Sequence, residues 1–179
     1  MKQIKQLAFL MIVALATASC DMLNVDVETT MSGVLSIDVD EPTAKSALAG
    51  YPFQAIKNLD PQEDEDVKKY ASNIVAVGVG NISAEVIAVG KDDVLILQGA
   101  VVTLSDEANS TTWVLPEDWP IEVGKIYQLN DQDGFYEDVS AILEDVEEFT
   151  IGMAGNSSVS GVRIEIKFSI DATATGSLF

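Results

Sequence analysis

The chain carries one cysteine and no histidine among its 179 residues, so thiol chemistry is confined to Cys20 and imidazole chemistry is excluded. That removes histidine-based catalytic triads, histidine metal sites and histidine acid–base catalysis. A lone thiol also excludes intrachain disulfides and thiolate metal clusters. Cys20 directly follows Thr17, Ala18 and Ser19. Upstream, residues 1–5 hold Lys2 and Lys5 with no acid, and an apolar stretch runs from Leu7 to Ala16. A basic start, a short apolar run and small residues before a cut describe an export signal over residues 1–19. A spanning helix needs about 20 apolar residues, and this stretch offers roughly half of that. The plain reading is a leader cut near Ala18 or Ser19 that leaves a free thiol; the sharper one is lipid attachment to Cys20.

The run Thr17 to Cys20 resembles the bacterial lipobox, with Thr17 where Leu is the commonest first residue. The resemblance implies a diacylglycerol on Cys20, a mature chain that begins there, and a membrane partner reached through the lipid. Each buried methylene contributes about 0.8 kcal/mol, so a multiply acylated terminus anchors stably where one chain is marginal. Loss of residues 1–19 takes away Lys2 and Lys5 and no acid, moving the net charge from −19 to −21. A body so acidic is repelled by anionic headgroups and argues against a nucleic-acid partner, which needs clustered Lys and Arg.

Four aromatics, Trp113, Trp119, Tyr127 and Tyr136, fall within one short stretch, and exposed rings of this kind bind sugar faces. Trp119, between Asp118 and Pro120 in a turn, is the one expected at the surface. The competing role of such rings is as large apolar anchors in a core. Asp131 and Asp133, in the run Asn130 to Gly134, are the best candidates for weak cation binding. Aligning Gly134 with the sixth position of a calcium loop puts Leu129 and Ser140 where ligands are needed, so turn chemistry is the expectation and no metal or other cofactor is assigned. The acids Glu63 to Asp66 fit the first turn of a helix capped by Asp60. Gly78-x-Gly80 lacks the spacing and the Lys-Ser/Thr pair of a phosphate loop. Paired carboxylates can run glycoside hydrolysis, but most of the 29 acids fall at alternating, helix-exposed or turn positions. The expectation is therefore a non-enzymatic chain.

The elements that must carry these residues are mainly β. Period-two alternation predicts strands over residues 23–28 and 35–40, a weak edge strand around Pro52, and strands at 74–79 and 83–89 with a bulge near Gly80. Another is predicted at 94–104, interrupted at Gly99, and these form a meander with their neighbours. Short strands follow at 112–115 and 124–129, then 149–153 and the long alternation from Val162 to Asp171. Two short helices are predicted, at 61–72 and 137–147, the second from Val139, Ile142, Leu143 and Val146 on one stripe. The whole predicts an antiparallel β-sandwich or partly open barrel with two short helices. Its divisions are a leader over 1–19, a tether with a first short strand over 20–32, one sandwich domain over 33–175 and a tail over 176–179.

The order of lipobox, Ile37-x-Val39 strand, capped acidic helix at Asp60 to Tyr70, Val-rich strand near Ile74, Val102 to Leu104 strand and the terminal Phe168-x-Ile170-x-Ala172 pattern resembles small uncharacterised exported lipoproteins of Bacteroidota. The resemblance implies an exported sandwich and carries over no catalytic or binding residue. The expected function is a lipid-anchored, non-catalytic envelope protein of structural or interaction type, in the outer membrane with the leaflet open, whose partner is an envelope protein or a glycan. The alternative is a carbohydrate-binding accessory protein using exposed aromatics.

Overall fold

The computed structural model describes residues 24–41, 50–63, 68, 74–144 and 148–177. The leader and Cys20 lie outside the described residues, as does most of the helix expected over 61–72, of which the 3-10 turn Pro61–Glu63 and Lys68 are seen. Asp60 caps that turn as its sequence position predicts: its carboxylate accepts from the Gln62 amide at 2.8 Å. Among the described residues, no helix is long and apolar enough to cross a membrane.

Among the described residues, ten strands form two antiparallel sheets. In sheet A, β10 (Val162–Ser177) lies between β1 (Asn24–Val39) and β3 (Ile74–Val89), and β8 (Ile126–Gln128) lies on the far side of β3. In sheet B, β9 (Phe149–Ser157) is central. The strand β2 (Tyr51–Leu59) pairs along one side of it, while β5 (Val101–Ser105) and β4 (Leu95–Ile96) follow one another along the other. Outside them lie β6 (Ser110–Val114) and β7 (Trp119–Pro120). The sheets share a core to which each contributes its alternate residues, Ile164, Ile166, Phe168 and Ile170 from β10 and Val102, Leu104, Ile151 and Met153 from sheet B.

Three sequence expectations are corrected here. The strands expected at 23–28 and 35–40 are one uninterrupted β1, paired with β10 from Asn24↔Ser177 to Val39↔Val162, so no boundary falls near residue 32. The strands expected at 74–79 and 83–89 are likewise one β3. Its register against β10 slips three times, stepping past Val75, Gly80 and Ile87, and each slip reverses which residues face inward. Val77 and Val79 pack on the core on one side of Gly80, and Ile82, Ala84 and Val86 on the other. The expected meander is absent from the pairing, because β4 joins β9 and β7 rather than its sequence neighbours.

The helix α1 (Phe135–Glu144) closes one side of the sandwich. Its buried residues Phe135, Val139, Ile142 and Leu143 face the core, and Ser140 Oγ accepts from the Val79 amide on β3 at 3.0 Å. On the opposite sheet, the Thr111 hydroxyl of β6 donates to Asp138 at 2.9 Å. The other side closes where β1 meets β2: Gly33 leaves room for the Leu59 side chain, which a Cβ there would strike.

A second close approach occurs at the interruption between β4 and β5, where Gly99 takes φ 85° and Ala100 comes against Gly155 of β9. A Cβ on Gly155 would lie 2.5 Å from Ala100 Cβ and 2.9 Å from Ala100 Cα, too near for either backbone to yield cheaply. Gly155→Ala is expected to destabilise the fold by about 1–3 kcal/mol. Gly78→Ala, with nothing within 4 Å of its Cβ position, should change stability by less than about 0.5 kcal/mol. Urea unfolding midpoints of the two variants check this difference.

Candidate functional site

The aromatic set picked out in the sequence is brought together, but inside the protein. Trp113 and Trp119 are 2% and 4% exposed, which corrects the expectation that Trp119 stands at the surface. The reason is that the turn holding Trp119 is folded into strand β7, whose pairing with β4 turns the ring inward. The Trp119 and Tyr127 rings stack with centroids 4.3 Å apart, and Trp113 lies 5.7 Å from Trp119. Three of the four polar tips have partners within the fold. The Trp113 indole N–H donates to Asn130 Oδ1 at 3.0 Å, the Tyr127 hydroxyl to the Pro120 carbonyl, and the Tyr136 hydroxyl to the Leu129 carbonyl at 2.7 Å. The buried indoles of Trp113 and Trp119, with the half-buried rings of Tyr127 and Tyr136 packed against the core, thus pin the β7–β8 segment and the start of α1.

Asp131 and Asp133 are also occupied as local structure. The Asp131 carboxylate accepts from the Tyr136 amide at 2.9 Å, capping α1, and Asp133 holds a left-handed backbone at φ 53° before Gly134 at φ 85°. Among the described residues, no group of three or more Asp, Glu or Cys is placed to hold a metal ion.

What the sequence reading missed is the outer face of sheet B. The registers of β6, β5, β9 and β2 align three rows of side chains on that face. One row is Val114, Val101, Ala154 and Gln54. The middle row is Thr112, Thr103, Gly152 and Ile56. The third is Ser110, Ser105, Thr150 and Asn58. None of the twelve is ionisable, on a chain of net charge −19. Ile56 is 61% exposed beside Gly152, and a shallow trough of about 170 Å³ runs there, with Ile56 on one wall and Thr103 and Ser105 on the other. The outer face of sheet A contrasts with it, carrying Asp26, Glu28, Asp38 and Asp171 with Lys167 and Arg163. Its Asp171 is held by the Thr30 hydroxyl at 2.8 Å and the Asn81 amide at 3.1 Å. The signal for the neutral face was present in the outward residues of four separated segments, but only strand order places them side by side.

Two expectations follow from the aromatic cluster. Trp119→Ala should cost about 3–5 kcal/mol in urea unfolding, as for a large core ring, where loss of an exposed platform would leave stability unchanged. Burial raises the Tyr127 phenol above its ordinary value of 10.0. The folded state therefore holds that proton more tightly than the unfolded chain. The stabilisation is fully present below pH about 10 and is lost as pH rises through the higher folded-state value. Melting temperatures across the alkaline range should show this loss, and Tyr127→Phe should flatten it.

No protein-family model and no curated protein matches the sequence. Among solved structures, the chain is similar to the decameric BFDV capsid protein at a TM-score of 0.42 and 7% identity, over 84% of this chain and 99% of that one. Turnip yellow mosaic virus stands at 0.33 and 6%, over 87% and 96%. Mud crab tombus-like virus stands at 0.34 and 9%, over 92% and 97%.

Proposed function

We propose that this chain is a lipid-anchored, non-catalytic protein of the cell envelope, held in the outer membrane through Cys20, whose sandwich is an interaction module working through the outer face of sheet B. The observation that carries the reading is the absence of any ionisable side chain from the three aligned rows on that face, while the chain as a whole has 29 acids and 10 cations. Charged side chains are the cheapest way to keep an exposed sheet solvated, and interface centres are depleted in them. A neutral face of small hydroxyl, amide and aliphatic groups desolvates at low cost when a partner covers it.

Two measurements test this. A labelled fatty acid should be incorporated into the wild type and lost in Cys20→Ser, which should also leave the envelope fraction; an unlabelled wild type overturns the anchor. Proximity cross-linking in intact cells should recover partners with the wild type and lose them with Thr103→Glu, a substitution at a half-exposed site expected to change stability by under about 0.5 kcal/mol. Identical partner profiles for the two would overturn an interaction through this face.

A further inference from the structure

We propose that the partner of the neutral sheet B face is the same face of a second copy of this chain. The inference rests on the interaction reading above and names its occupant.

Electrostatics select that approach. Two mature copies, each with 29 acids against the 8 cations left after loss of Lys2 and Lys5, repel at any pair of surfaces that opposes their carboxylates, and like charges brought together across a contact cost several kcal/mol. The outer face of sheet A would oppose rows bearing Asp26, Glu28 and Asp171. The outer face of sheet B opposes none. A charged ligand, whether a basic peptide or an anionic headgroup, finds no counter-charge among the twelve side chains there, whereas a second neutral sheet requires none.

The relief of the face is also self-complementary. A twofold axis running along the strands between β9 and β5 places each β9 over the partner's β5 and each β2 over the partner's β6. Thr103 then sits over the open position at Gly152, and Val101 over the small Ala154. Ile56 meets Thr112 in the same row. Stacked sheets pack in this way, larger side chains entering the gaps left by smaller ones. A Cβ at Gly152 would have nothing nearer than 3.5 Å, so the hollow is open space that the fold itself does not fill.

Area sets the strength. Four strands about 4.8 Å apart and three rows about 7 Å apart cover roughly 400 Å² per copy, about half of the roughly 800 Å² per partner of a stable interface. The pair is therefore weak in free solution. Copies held by their lipids in one membrane leaflet meet at high effective concentration, which is where such a contact forms.

The test uses the full acylated protein in isolated membranes. Cys20 is then a thioether, so a single introduced thiol is the one reactive site. Thr103→Cys treated with a short bis-maleimide should give a covalent dimer, and Ser169→Cys, on the outer face of sheet A, at least ten-fold less. Adding Thr112→Glu to Thr103→Cys should lower the dimer yield ten-fold or more, while Thr112→Val keeps it. Raising salt from about 50 to 500 mM should increase the yield, because screening relieves repulsion between two acidic bodies. Equal yields at residues 103 and 169, or indifference to Thr112→Glu, would overturn self-pairing. If Thr103→Glu abolishes capture of another protein, or retention on a dextran gel, while no homodimer forms, the interaction face stands and its occupant is not a second copy. A wild-type dimer linked through residue 20 would instead report a free thiol and count against the lipid alone.

Discussion

The structure is organised by where 29 carboxylates can stay in water with only 10 cations to pair them. Burying an unpaired carboxylate costs several kcal/mol, more than a sandwich of this size can spare at many sites. No charged side chain is buried among the described residues, where the buried polar groups are Thr111 and Ser157. Among the described residues, acids stand in turns, along the solvent side of α1 and on the outer face of sheet A. The apolar interior is left to Val, Ile, Leu and aromatic residues from both sheets, and this separation makes the outer face of sheet B distinctive. Nothing in the core demands that it be neutral, because its side chains already point away.

The same constraint shapes the closure of the sandwich. An open side exposes strand edges and core together, and β-rich proteins must cover both. Here α1 does so on one side with two hydroxyl-centred contacts, Ser140 to the edge of β3 and Thr111 of β6 to Asp138. Ser140 also donates to the Tyr136 carbonyl at 2.7 Å, so one side chain joins helix backbone to sheet edge. The aromatic stack of Trp113, Trp119 and Tyr127 fixes the segment that feeds the helix. Rings that looked available for a ligand are what hold this lid in place, and the polar tips of Trp113 and Tyr127 are spent on a side-chain and a backbone acceptor.

The sandwich and its strand β10 were legible in the sequence, because Val162 to Asp171 alternates without a break and its partner β1 pairs with it without a slip. The bulge at Gly80 was legible too, as a glycine inside a Val-rich run. What was not legible was that β3 continues through it. Each inserted residue shifts the alternation by one, so a continuous strand reads as two segments of opposite phase. Trp119 failed for a related reason. Local composition, an indole between Asp118 and Pro120, describes a surface turn, and only a two-residue pairing with Leu95 and Ile96 turns it inward. The neutral face depends on the order β6–β5–β9–β2, which brings residues 54 and 154 beside 101 and 114, a juxtaposition that no local pattern encodes.

A neutral face set against an acidic remainder has consequences for how the domain meets anything else. The acidic surfaces favour water and repel other anionic bodies at close range. Its edges are managed individually: β2 carries Pro52 and Lys57, residues that blunt strand addition, while β3 and β6 are engaged by α1. Edge-to-edge growth of the sheet is therefore disfavoured on these sides. A contact that is both uncharged and free of those devices must come through a sheet face, and between the two outer faces the charges of sheet A leave sheet B.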